Sequence, residues 1–116
     1  MARVLYVEDD LDVSEIMKDM LGMFFDEVYV AYDGVEGLDK YKEYNPDLVI
    51  SDILMPRMDG LELVKEIYSI NKDAKIILTT ADNELNYQSK AKELGVFGYL
   101  NKPIDFSELQ KFFDKL

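Results

Sequence analysis

The chain reads as an α/β protein built on a doubly wound, five-stranded parallel sheet. Three observations predict this. Five short apolar runs rich in β-branched and aromatic residues alternate with five segments at helical spacing. The central run, residues 48–50 (LVI), is apolar on every position, as a strand covered by helices on both faces must be. The length, 116 residues, suits one domain with one core, residues 1–116.

Residues 3–7 (RVLYV) form a short strand that stops at Glu8-Asp9-Asp10. A helix follows from about Leu11, with Val13, Ile16, Met17, Met20, Leu21 and Phe24 at helical spacing and Gly22 loosening its end. Residues 27–31 (EVYVA) read as the second strand, and Tyr32-Asp33-Gly34 as the turn after it. Val35, Leu38, Tyr41 and Lys42 mark a weaker second helix that stops at Asn45-Pro46. The third strand begins at Leu48 and ends on an acid, Asp52; Pro56, Asp59 and Gly60 then break the pattern. A third helix covers residues 61–69, with Leu63, Val64, Ile67 and Tyr68 inward. Residues 75–79 (KIILT) are the fourth strand, with Thr80-Ala81 leaving its end. Residues 83–94 are polar and loosely periodic, a helix closed by Gly95. Residues 97–100 form the fifth strand, ended by Asn101-Lys102-Pro103. The last helix spans residues 105–116, with Phe106, Leu109, Phe112, Phe113 and Leu116 on one face. Right-handed crossovers leave few topologies, and the flavodoxin-like strand order 2-1-3-4-5 is the natural one at this length.

Composition narrows the function. With 24 acids against 13 bases the net charge is −11, which argues against direct nucleic acid binding or docking on an anionic membrane. No apolar run approaches a membrane span, and Met1-Ala2-Arg3 leads straight into a strand rather than a signal sequence, so a cytoplasmic location is expected. Cys and His are both absent, which removes thiol and imidazole catalysis and soft metal ligands. There is no G-x-G-x-x-G and no Walker Gly-Lys pair, so nucleotide binding is not indicated.

In such folds ligands bind beyond the carboxyl ends of the strands. The first strand delivers Glu8 and Asp9 there, the third Asp52, the fourth Thr79-Thr80 and the fifth Lys102. Adjacent strands lie about 4.8 Å apart, so Lys102 starts roughly 10 Å from Asp52, a gap a lysine side chain can cross. Three carboxylates within about 5 Å repel by roughly 3 kcal/mol per pair at an effective dielectric near 20. Either one stays protonated or a cation sits among them. Oxygen-only donors favour a hard ion, Mg²⁺ before Mn²⁺ or Ca²⁺. The spacing of Glu8-Asp9-Asp10-Leu11-Asp12 is not that of an EF-hand. A carboxylate beside Mg²⁺, a lysine and a threonine hydroxyl has what an aspartyl phosphate needs. Asp52 as a turn cap is the plain alternative on its own stretch, and Asp10 or Asp12 would serve to cap the first helix. Strand parity does not choose between Thr79 and Thr80.

These motifs, namely Glu8-Asp9, the Asp52-x-x-x-Pro56-x-x-Asp59-Gly60 run, Thr80-Ala81 and Lys102-Pro103, resemble those of the response-regulator receiver domains of two-component systems, over residues 3–116. The resemblance implies a signalling switch rather than an enzyme. It would accept a phosphoryl group on Asp52 from a phospho-histidine of a sensor histidine kinase or a phosphotransfer protein. It would catalyse only its own phosphorylation and dephosphorylation. The resemblance also implies Mg²⁺ held by Asp9, Asp52 and the Leu54 backbone carbonyl, with Glu8 acting largely through water. Lys102 would contact the phosphoryl group, and Thr80 and Tyr99 would form the switch. Lys102-Pro103 would carry a cis bond. The output surface implied is the fourth helix, fifth strand and fifth helix, facing a downstream effector protein or domain, with a possible homodimer on phosphorylation. Val96 and the short final helix depart mildly from the family pattern. Asp82, with Leu54, would flank the water path to the phosphate. A Mg²⁺-dependent aspartyl phosphatase is the enzymatic alternative, but Leu54 stands where such enzymes commonly carry a second acid. A receiver-like module that is never phosphorylated would usually have lost an acid or Lys102.

Overall fold

A computed structural model of the chain describes residues 2–81 and 85–116. Its elements run β1 Arg3–Val7, α1 Leu11–Leu21, β2 Glu27–Ala31, α2 Gly34–Tyr44, β3 Leu48–Asp52, α3 Gly60–Ile70, β4 Ile76–Thr80, α4 Leu85–Leu94, β5 Gly98–Asn101 and α5 Phe106–Phe113. Every strand pairing is parallel and the order is β2-β1-β3-β4-β5. This is the flavodoxin-like arrangement read from the sequence.

Strand alternation splits the core into two layers. On one face Leu5, Val7, Val49, Ile53 and Leu78 pack with Leu63, Val64 and Ile67 of α3 and Ala91 of α4. On the other, Val4, Tyr6, Leu48, Ile50, Ile77 and Leu100 pack beneath Met17 and Leu21 of α1 and Leu109 of α5. All five residues of β3 and of β4 are buried, as continuous apolar patterning requires of central strands. Each large aliphatic so buried stabilises the fold by about 1.5–3 kcal/mol.

Part of the acid excess has a local cause. Asp10, Asp33, Asp59 and Asp105 are the N-caps of α1, α2, α3 and α5, each accepting from backbone N–H groups of the first turn. Such a cap contributes about 1 kcal/mol and suits the positive end of the helix dipole. Asp10 takes the α1 cap expected of it or Asp12, and Asp59-Gly60 form the helix start. All four caps sit at the ends of β–α connections, so the starts of α1, α2, α3 and α5 lie on the rim where the polar strand ends gather.

Boundaries move by one to three residues from the sequence reading. β4 and β5 each start and end one residue later; the Lys102 N–H bonds Thr80 O and carries the pairing to the later ends, a ladder contact that a single strand's composition does not reveal. α1 stops at Leu21 and α5 at Phe113, so Phe24 and Leu116 lie beyond their helices and stay exposed, and Ile16 on α1 faces solvent at 60% exposure. Phe24 instead packs its ring at a tilt against Phe106 and Phe113, the first and last residues of α5. The expected helix start at Asn83 and the expected role of Asp82 fall outside the described residues.

Candidate functional site

β1 releases the chain at Glu8, whose backbone N–H bonds Ala31 O of β2 at 3.0 Å and whose carbonyl accepts from Ser14 Oγ at 3.1 Å. These bonds turn the Glu8 side chain inward, to 1% exposure, while Asp9 next to it is exposed. β3 ends on Asp52, 7% exposed, with Oδ1 accepting from the Ile53 N–H at 3.0 Å. The loop that follows folds tightly: the Gly60 N–H bonds Ile53 O at 2.7 Å. A Cβ on Gly60 would lie 2.3 Å from Asp52 O, so only glycine lets the α3 start close over the acid.

Ligand oxygens of Glu8, Asp9 and Asp52 lie within 4.8 Å of one another, the spacing that could hold a metal ion. All donors are oxygen, the set a hard divalent cation prefers. Lys102 reaches back from the end of β5 across β4, as its length allows. Its Nζ stands 3.1 Å from Asp52 Oδ2 and hydrogen-bonds Glu8 Oε1. The Lys102-Pro103 peptide is cis, as expected.

The charges are mutually dependent. Burial pushes the Glu8 carboxyl up to about 7; the Asp52 charge adds to this, and the bond from Lys102 pulls the other way. Burial alone would lower the Lys102 ammonium, but its bond to Glu8 and the Asp52 carboxylate outweigh that and raise it.

Register resolves what strand parity along one chain leaves open. Asp52 pairs with Thr79, so Thr79 shares its face, and the Thr79 hydroxyl donates to Ser51 O at 3.5 Å. Thr80 pairs with Asn101, two residues on from Tyr99, so Thr80 and Tyr99 share the opposite, α3–α4 face. Thr80 is fully buried and Tyr99 partly so. Leu54 lies two residues past Asp52 in the loop, its side chain 52% exposed.

One residue of the site is absent from the motifs. Tyr6 precedes Glu8 by two positions on β1, so both point to the same face. Its hydroxyl, buried, meets no acceptor at full hydrogen-bonding geometry; burial first, then the Glu8 charge and a weak approach to the Glu8 carboxylate, raise the phenol. A buried hydroxyl left unpaired costs about 1–3 kcal/mol. The two-residue spacing was the available signal.

A flavodoxin-like sheet with an acid trio and a returning lysine at its carboxyl edge defines a class, and comparison agrees. The chain belongs to the response regulator receiver domain family, whose model matches residues 4–114. It is 38% identical over 101 residues to the chemotaxis protein CheY of Halobacterium salinarum, covering 87% of this chain and 84% of that one. It is 36% identical over 107 residues to the response regulator MprA of Mycobacterium avium, covering 92% of this chain but 47% of that protein. Against the hybrid signal transduction histidine kinase D of Dictyostelium discoideum it is 37% identical over 108 residues, which is 91% of this chain and 7% of the kinase. Among solved structures, the N-terminal domain of an uncharacterized protein from Wolinella succinogenes superposes with a TM-score of 0.93 at 36% identity, covering 99% of this chain and 93% of that one. CheY4 of Vibrio cholerae does so with a TM-score of 0.87 at 31% identity, covering 99% and 98%. No helix among the described residues is long and apolar enough to cross a membrane.

Proposed function

We propose that the chain is a phosphorylation-driven switch in which Asp52 accepts a phosphoryl group. The observation that carries this is the convergence of Lys102 Nζ, 3.1 Å from Asp52 Oδ2, with Glu8 and Asp9 oxygens within 4.8 Å. An Asp52 oxygen attacks phosphorus as the P–N bond of a phospho-histidine breaks, its electron pair returning to the nitrogen. Lys102 turns from the carboxylates to the transferred oxygens and neutralises them. Asp9 and Asp52, with the Leu54 carbonyl, would hold Mg²⁺, Glu8 contributing through water; the ion supplies charge neutralisation at the phosphoryl oxygens. The Thr80 hydroxyl, which starts on the opposite face at the last residue of β4, moves over the strand end to bond the arrived group. Tyr99, on the Thr80 face, follows it inward, which alters the α4–β5–α5 surface offered to an effector or a second copy.

The donor is a protein, a sensor histidine kinase or phosphotransfer protein, in the cytoplasm. An apolar groove of about 440 Å³ beside Lys102, lined by Val13, Ile16, Met17, Met20, Pro103 and Ile104, supports docking of such a partner there. The switch turns over only its own phosphate, water replacing the carboxylate at phosphorus. The phosphatase alternative gains nothing from the geometry, since Leu54 offers no second acid. Residues 1–116 act as one receiver unit.

The test is labelling with acetyl phosphate or beryllofluoride in the presence of Mg²⁺. Wild type should take the label and Asp52→Ala should not, while folding at least as stably because one member of a repelling cluster is gone. A label that persists in Asp52→Ala means that another residue is the acceptor.

A further inference from the structure

We propose that Tyr6 is a positioning residue whose hydroxyl serves as the reserve donor for Glu8, engaging that carboxylate when Lys102 is drawn onto a phosphoryl group. The role rests on the phosphoacceptor reading of Asp52. Tyr6 is 1% exposed, and its hydroxyl is the one buried side-chain polar atom without a hydrogen-bond partner among the described residues.

The surroundings say where that hydroxyl can turn. The ring belongs to the buried cluster with Met17, Leu21, Ile50, Ile77 and Leu100, whose side chains offer no acceptor stronger than the Met17 thioether. Tyr6 pairs in register with Ile50, so the polar positions on its face are those two residues further along. These are Glu8 just past β1, Asp52 on β3 and Thr79 on β4, the last with its hydroxyl turned to Ser51 O. The charges acting on the phenol are those of Glu8, Asp52 and Asp10, Glu8 first. Phenylalanine would fill the same apolar slot without an unpaired group, so packing does not account for the oxygen.

Glu8 in turn has few donors. Lys102 Nζ bonds Oε1, and the Asp10 N–H reaches Oε2 at 3.4 Å. Once Lys102 swings to a phosphoryl oxygen, a carboxylate 1% exposed keeps, from the protein itself, only the long bond from the Asp10 N–H. A tyrosine hydroxyl hydrogen turns about its C–O bond at little cost, and Tyr6 is the donor next in line. Glu8 then stays in place rather than rotating into the transferred group.

A stability cycle tests the hydrogen bond without any ligand. Tyr6→Phe in the wild-type background, in EDTA, should leave the melting temperature unchanged or raised. In a Lys102→Met background, where Glu8 has lost its cation, the same substitution should lower it by about 4 °C. Equal shifts in the two backgrounds overturn the proposal. Beryllofluoride titration with Mg²⁺ tests the role in the switched state. The chain has eight tyrosines and no tryptophan, so the ligand-induced near-ultraviolet difference spectrum reports on tyrosine. Tyr6→Phe should bind about fivefold more weakly and lose part of that spectral change. Wild type binding beryllofluoride with Tyr6→Phe identical to it overturns the Tyr6 role alone. Wild type failing to bind overturns the Asp52 reading, and this role with it.

Discussion

Lys102 and Glu8, 94 residues apart along the chain, form the closest ion pair among the described residues. The pair reaches from the edge strand β5 across β4 and β3 to the end of β1 and sets the pH behaviour of the metal-free protein. Glu8 is raised from 4.5 to about 7, by burial first and Asp52 second. Between those values the folded protein holds a proton that the unfolded chain has released, so stability falls as pH rises through the window. Lys102 is raised above 10.5; its contribution is complete below that value and is lost only above it, so it leaves the window untouched. Thermal melts in EDTA from pH 4.5 to 8 should show the decline in wild type and a flatter curve in Glu8→Gln. Parallel curves would refute the assignment.

Magnesium should relieve the same strain. Free ion at about ten times its Kd stabilises by about 1.4 kcal/mol, several degrees in melting temperature. Asp9 is exposed, so Asp9→Ala should melt like wild type in EDTA yet lose the magnesium-dependent rise. Calorimetric scans with and without millimolar Mg²⁺ measure both, and an undiminished rise in the variant would remove Asp9 from the site.

Gly60 tests how closely the α3 start presses on the acceptor. In Gly60→Ala the new Cβ would meet Asp52 O at 2.3 Å and Ile53 Cα at 2.9 Å, backbone that cannot give way cheaply. We expect a loss of about 1–3 kcal/mol in urea unfolding, with weaker magnesium binding. Gly22→Ala, whose nearest contacts are 3.3 and 3.4 Å, is the control and should stay close to wild type.

Ile16 separates the donor's docking from the chemistry. It is 60% exposed at the groove beside Lys102, so Ile16→Asp should change stability by no more than about 0.5 kcal/mol. Labelling by acetyl phosphate should be unaffected, and transfer from a phosphorylated protein donor should slow about tenfold, the effect of about 1.4 kcal/mol at an interface. Time courses with both donors decide it; equal slowing with the small donor would place Ile16 in the chemistry instead.

Much of the architecture was legible because its causes are local. β-branched runs, Pro46, the Asp59-Gly60 start and the apolar LVI of the third strand each act within a few residues. Phe24 and Leu116 were misplaced on helical faces because periodicity runs on past the point where the helix stops, and the stop belongs to Gly22 in one case and to Asp114 in the other. β4 and β5 slid by one residue because strand limits are set by the partner strand's hydrogen bonds.

At the site the division is similar. Glu8, Asp9, Asp52 and Lys102 follow from chain order: each lies within two residues of the end of an apolar run, and parallel strands place all their carboxyl ends on one edge. The amino-acid order could not say that Lys102 bonds Glu8 as well as Asp52, that Thr79 rather than Thr80 shares the Asp52 face, or that the Tyr6 hydroxyl lies buried and unpaired below the acids. Those depend on register between strands far apart in the chain and on where long side chains find room. Both arise only when the two layers close around the sheet together.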